Sequence, residues 1–262
     1  MPARSIKRTA WAVGLATGAM VVVALALPYV ASTHVVGDRI ADEMAAWSGM
    51  DVSIDAAPEI SIWPDLKATL TDVTFSLPGG ETVATADRVE VDLSALAALR
   101  GRIDFSKAVF FSPTVRLDTD GLLPSLPKTG RIARAVAAAK DMVAEGKMPD
   151  AGLLPNDNFG TVEFIDGRVV RPLSSLDVPI VTALNGRMNW ATLDGRLSAT
   201  AKGAFKGEEF TIELSSASPL SLLGGAPSAA TLALKSEPVK LSFDGTASLG
   251  NNPYATGQAA FS

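Results

Sequence analysis

Cysteine is absent from this 262-residue chain, and histidine occurs once, as His34. The first absence excludes disulfides, thiolate zinc sites, iron–sulfur clusters and cysteine nucleophiles together. The second leaves no base for a Ser-His-Asp triad, and no His-rich metal site, anywhere beyond residue 34. Aromatic residues are scarce too, at 6 % against 47 % hydrophobic overall, so any core is built from Ala, Val, Leu and Ile. Glycine-rich phosphate loops and a G-x-S-x-G elbow are missing. The Asp-Gly pairs at 120–121, 166–167, 194–195 and 244–245 lack the acidic spacing of a calcium loop and are expected as turn residues. Glu208-Glu209 is the closest acidic pair and is expected in a solvated hairpin turn after Gly207. The expectation is therefore no catalytic residue, no metal, no cofactor and no enzyme activity.

Charge is distributed unevenly. Arg4, Lys7 and Arg8 are the only charged side chains before Asp38, which leaves 20 basic against 28 acidic residues in the rest. An acidic domain without a Lys/Arg cluster repels phosphate backbones, which argues against nucleic acid as a partner. From Thr9 to Gly37 there is no Asp, Glu, Lys or Arg, and Ala10–Val30 matches the ~20 apolar residues that cross a bilayer core as a helix. Basic residues before it and acidic ones after place the N-terminus in the cytoplasm and the rest across the membrane. A cleaved signal peptide is the alternative, since Ala24-Leu25-Ala26 resembles a small-x-small cleavage site.

Beyond Gly37 the hydrophobic period changes. Ile40, Met44 and Trp47 predict a short helix over Asp38–Trp47, stopped by Gly49. After it the period is two: Val52/Ile54, Ile60/Ile62, Leu66/Ala68/Leu70, then Val73/Phe75/Leu77 with the parity shifted at Thr71-Asp72, which predicts a bulge. Val89/Val91/Leu93, Ile103/Phe105, Val109/Phe111 and Val115/Leu117 continue the alternation, with one helical turn suggested over Ser94–Leu99. The pattern predicts an antiparallel meander with one apolar and one wet face. Prolines 124, 127, 149 and 155 bracket an Ala-rich helix over Arg131–Met148 with a stripe of Ile132, Val136, Ala139 and Val143. It is a surface helix on the sheet, a lid over a groove, or an interfacial helix. Strands resume after Phe159, and Leu193-Asp194-Gly195 to Phe205 loosely repeats as Phe243-Asp244-Gly245 to Phe261. The chain ends within a strand, which predicts either continuation in a longer native chain or pairing with another chain.

The ordered series Gly49-x-Asp51-Val52-Ser53-Ile54, Ile60-Ser61-Ile62-Trp63-Pro64-Asp65-Leu66, Leu70-x-Asp72-Val73-x-Phe75, ATADRVEVDL over 84–93 and Pro113-Thr114-Val115-Arg116-Leu117 resembles the N-terminal region of the AsmA family. Val162–Val169 and Asn189-Trp190 through Gly203 resemble its next part. The resemblance implies a single-pass bacterial inner-membrane protein with a periplasmic domain, related to TamB-like bridge-like lipid-transfer proteins. Such proteins have a role in outer-membrane biogenesis, in phospholipid movement or in targeting proteins to the outer membrane. Length departs from the family, and about ten strands at ~4.8 Å spacing reach only ~50 Å.

The expected organisation is a basic tip and transmembrane anchor (1–37), an N-terminal β region (38–122), a helical insertion (123–158) and a β-repeat region (159–262). The expected fold is mainly β, an elongated, curved antiparallel sheet forming a groove, with one or two accessory helices. Ile60, Ile62, Leu70, Phe75, Val89, Val91, Ile103, Phe105, Val115 and Leu117 are the candidate lining, and phospholipid acyl chains the expected ligand. If the sheet instead closes as a sandwich, the same residues form a dry core. A non-catalytic scaffold for envelope assembly proteins is the alternative function.

Overall fold

The computed structural model describes residues 34–94, 97, 104–117, 127–149, 152–173, 176–250 and 252–262. The apolar segment Ala10–Val30 and its expected span lie outside them. Among the described residues no helix is long and apolar enough to cross a membrane.

Among the described residues the fold is one large sheet with three helices, more than the one or two accessory helices expected. Helix α1 (His34–Ser48) leads into β1 (Asp51–Ile54), β2 (Glu59–Ser61), β3 (Lys67–Ser76), β4 (Thr82–Leu93), β5 (Phe105–Phe111) and β6 (Thr114–Arg116). Helix α2 (Arg131–Ala144) follows, then β7 (Asn158–Leu173), β8 (Leu176–Thr192), β9 (Leu197–Phe205) and β10 (Glu208–Ser216). Helix α3 (Pro219–Gly224) precedes β11 (Ser228–Ser236), β12 (Lys240–Ser248) and β13 (Tyr254–Phe261). The strand order is β1-β3-β4-β5-β7-β8-β9-β10-β11-β12-β13, with β2 beside β3 and β6 between β4 and β7.

Neighbours are antiparallel except at one seam, where β5 and β6 run parallel to β7. The wholly antiparallel sheet expected from sequence is thus corrected to a mixed one. The cause is topological: a segment of some 40 residues carrying α2 returns the chain to the end where β5 began, and a crossover of that kind joins parallel strands. Ser112, at φ 49, breaks β5 from β6, so the two form one interrupted strand.

Local chemistry explains the elements. Helix α1 buries Ile40 and Met44, the positions its period marked. Gly49 ends it at φ 76, where a Cβ would stand 2.0 Å from the Thr129 carbonyl oxygen, so only glycine fits. In β3 both Leu70 and Val73 are buried while Thr71 and Asp72 are exposed, and Asp72 sits at φ 52. The expected parity shift is present, but the bulge expected at Thr71-Asp72 is not; the register shift lies at Phe75/Ser76 instead. The partner strand β4 flips at the position facing Thr71-Asp72, between Ala86 and Val89, so the pairing keeps its register there.

Other expectations need correction. A register shift at Asp92/Leu93 sets Leu93 against Phe105 and adds a residue to β5, so Phe105, Ala108 and Phe110 share one face while Val109 and Phe111 turn to the other. Of the described Asp-Gly pairs only Asp194-Gly195 is a turn; Asp166-Gly167 is an irregularity inside β7, and Asp244-Gly245 lies within β12. The supposed repeat is therefore not a repeated unit, because its two Asp-Gly pairs occupy different kinds of position. Lys206 and Gly207, at φ 50 and φ 93, make the β9–β10 hairpin turn, and Glu208-Glu209 begins β10 instead. Ser94–Leu99 falls largely outside the described residues, as does Asp120-Gly121.

Candidate functional site

Directly opposed residues of neighbouring strands point to the same side of a sheet. Followed strand by strand, this rule yields two rows that cross ten strands without one polar or charged side chain. The first is Ala68, Val91, Ala108, Val162, Met188, Ala199, Leu214, Leu232, Phe243 and Ala259. The second is Leu70, Val89, Phe110, Phe164, Gly186, Ala201, Ile212, Leu234, Leu241 and Phe261. Nine inter-strand gaps of about 4.8 Å make each row about 43 Å long.

The rows change character along their length. Over β3 and β4 they are dry: Ala68, Leu70, Val89 and Val91 have no exposed surface, because Ile40 and Met44 of α1 lie on them. From β9 to β12 the row residues are half-buried, apart from the exposed Leu214, in β13 they are exposed, and throughout they belong to neither buried cluster of the described residues. Leu214 keeps 40 % of its surface exposed and Phe261 75 %. Helices α2 and α3 cover only one flank of this stretch, where Ala135, Ala139, Trp190, Leu193 and Leu220 form the second cluster.

Between the closed and open parts lies an apolar cavity of about 190 Å³. Met44 and Trp47 of α1 and Ile132 of α2 form one wall; Phe75, Phe105, Phe110, Phe159 and Val162 of the sheet form the other. Trp47 meets Phe159 edge-on with ring centroids 5.3 Å apart, and Phe159 meets Trp190 at 5.8 Å. Arg131 holds the helices together: its Nη2 donates to Glu43 Oε2 at 3.1 Å and its guanidinium stands 5.0 Å from the Trp47 ring centroid. The volume is about six times the ~30 Å³ share of one liquid water, enough for part of an acyl chain.

The opposite face is polar. Beneath the seam, Glu163 accepts from Arg187 Nε at 2.6 Å and lies 3.0 Å from Lys107 Nζ. Burial pushes the Glu163 carboxyl up, but the hydrogen bonds from Arg187 and Lys107 outweigh it and hold the group below the usual carboxylate range. The Glu90 carboxylate, 3.1 Å from Lys67 Nζ, raises the Lys67 ammonium above its usual value. Farther along, Lys202, Thr211, Lys235 and Lys240 form one row on this face. Charge is thus kept off the two apolar rows.

The sequence-derived lining divides accordingly. Leu70, Val89 and Val91 lie in the rows but under α1, and Leu117 is buried. Phe75 and Phe105 line the cavity. Ile60 packs on the first cluster, Val115 is half-buried beside Ala84, and Ile62 lies exposed in the β2–β3 turn. Ile103 is outside the described residues. The uncovered residues of β9–β13, among them Ile212, Leu214, Leu232, Leu234, Leu241 and Phe243, were absent from that lining. Their signal was the strict alternation in EEFTIELSS, SAATLALKS and KLSFDGTAS. Among the described residues no group of three or more His, Asp or Glu could hold a metal ion.

No family model, curated protein or solved structure matches this chain.

Proposed function

We propose that this chain is a membrane-anchored, AsmA-like protein of the bacterial inner membrane whose periplasmic sheet holds or conducts phospholipid acyl chains. The observation that carries the reading is the pair of apolar rows left uncovered over β9–β13. Each acyl methylene buried on such a surface gains ~0.8 kcal/mol, so a tail of a dozen or so carbons gains ~10 kcal/mol before ordering costs. That gain needs no recognition residue and no catalytic group. The headgroup stays in water at the strand ends. The cavity beside Phe75 and Phe105 serves as the closed end of the trough, with α1 and α2 as its stop.

The test is mass spectrometry of lipid extracted from the chain beginning at His34, released from membranes without detergent. Phospholipid at one or more molecules per chain supports the reading. A folded, lipid-free chain contradicts it.

A scaffold role in outer-membrane protein assembly is the second reading, favoured by one feature. Among the described residues strand β13 pairs on one side only; it has every residue exposed and carries no charge over Tyr254–Phe261, so that edge can take an added strand.

A further inference from the structure

We propose that the β2–β3 turn, with Ile62 and Trp63 at its tip, rests in the interface of the phospholipid bilayer that anchors the chain. Trp63 is 84 % exposed and Ile62 37 % exposed, an apolar pair projected into solvent from an otherwise acidic domain. The turn is well held: Ser61 pairs with Lys67, and the Ser61 hydroxyl donates to the Trp63 carbonyl at 3.1 Å. Its place in the fold gives the exposure a direction. Helix α1 runs back along β1 and β2, so its last residues join β1 beside Ser76, whereas Gly37 packs on Pro58, just ahead of β2. The three residues from Gly37 back to His34 add about 4.5 Å toward the turn. The chain therefore enters α1 at the end of the sheet that carries Trp63, and the 21 apolar residues Ala10–Val30 lie only a few positions upstream.

A bilayer holding that segment places its surface beside this end of the sheet. Tryptophan is the residue that favours the water–hydrocarbon boundary, with its ring in the headgroup layer and its N–H toward water. A second attachment point beside the anchor fixes the tilt of the sheet, so that the trough rises from the membrane at a set angle. This inference rests on the reading of Ala10–Val30 as membrane-embedded.

Because the chain has no cysteine, single-cysteine labelling tests both separately. Ile62→Cys, Glu81→Cys on the β3–β4 turn at the far end of the same strands, and Val21→Cys in the apolar segment each receive a small fluorophore. The full chain is reconstituted in phosphatidylethanolamine–phosphatidylglycerol vesicles containing headgroup-region nitroxide lipid. The proposal predicts quenching at position 62 at least threefold above that at 81, falling toward the level at 81 when Trp63→Ser is added. Strong quenching at 21 from acyl-chain nitroxides with none at 62 overturns the interfacial turn while the anchor stands. No quenching at 21 overturns the anchor and this inference with it. A label at 62 that is immobilised but unquenched by lipid assigns the turn to a protein contact and also overturns the proposal.

Discussion

Trp190 is 4 % exposed, and its indole Nε1 is buried without a hydrogen-bond partner among the described residues. An orphaned buried donor costs about 1–3 kcal/mol, comparable to what the larger ring gains by burial. Trp190→Phe is therefore expected to change stability by less than about 1 kcal/mol, well under the usual 3–5 for truncating a core aromatic to alanine. Urea unfolding midpoints of the variant and parent check this. Glu163 behaves oppositely. Its carboxylate has a lowered proton affinity in the fold, so its contribution is present above about pH 4.3 and is lost as pH falls through the lowered value. Arg187 is largely exposed, so the pairing is worth about 1 kcal/mol or less. Glu163→Gln should thus melt below the parent at pH 7, and thermal melts from pH 7 to 3 should show that gap closing.

The helices α1 and α2 decide which part of the apolar face is covered. Both were legible from three- and four-residue spacing: Ile40 and Met44 are buried in one, and in the other the stripe Ile132, Val136, Ala139 and Val143 holds the buried Ala139 among half-buried residues, with Ala135 the buried position it left out. Helix α3 was not, since six residues beginning with Pro219 give too little period to read. The parallel β5–β7 seam was also hidden, because partner choice across a long crossover is set by packing and not by alternation within a strand. At the α2–α3 contact the fit is tight: a Cβ on Gly224 would stand 2.8 Å from the Ala139 Cβ. Ala139→Leu is expected to cost about 1–3 kcal/mol by overpacking and to lift α2 from the sheet. Faster amide exchange in α2, with protection in β9–β12 retained, is the expected signature.

At the scale of the molecule the defining feature, among the described residues, is a one-sided sheet whose apolar face is sealed at one end and open at the other. Alternation in the sequence showed that such a face exists and placed Leu70, Val89 and Val91 on it. It could not show which part stays uncovered, because that depends on where the helices pack, α1 among them after the chain turns at Gly49. The two parts should respond differently to the same substitution. Val89→Asp buries an unpaired charge and is expected to unfold the domain, at about 4 kcal/mol or more. Ile212→Asp with Leu234→Lys leaves a directly opposed pair of opposite charges on a half-exposed face and should keep circular dichroism and melting near those of the parent, yet remove bound lipid.

The most direct measurement is photo-crosslinking in cells from benzoylphenylalanine at Phe243 and Leu234, on the open apolar rows, compared with Ser242 and Thr211 on the opposite face. Phospholipid adducts at the first pair and not at the second are the result the account predicts. Adducts at neither pair, or at both equally, would contradict it.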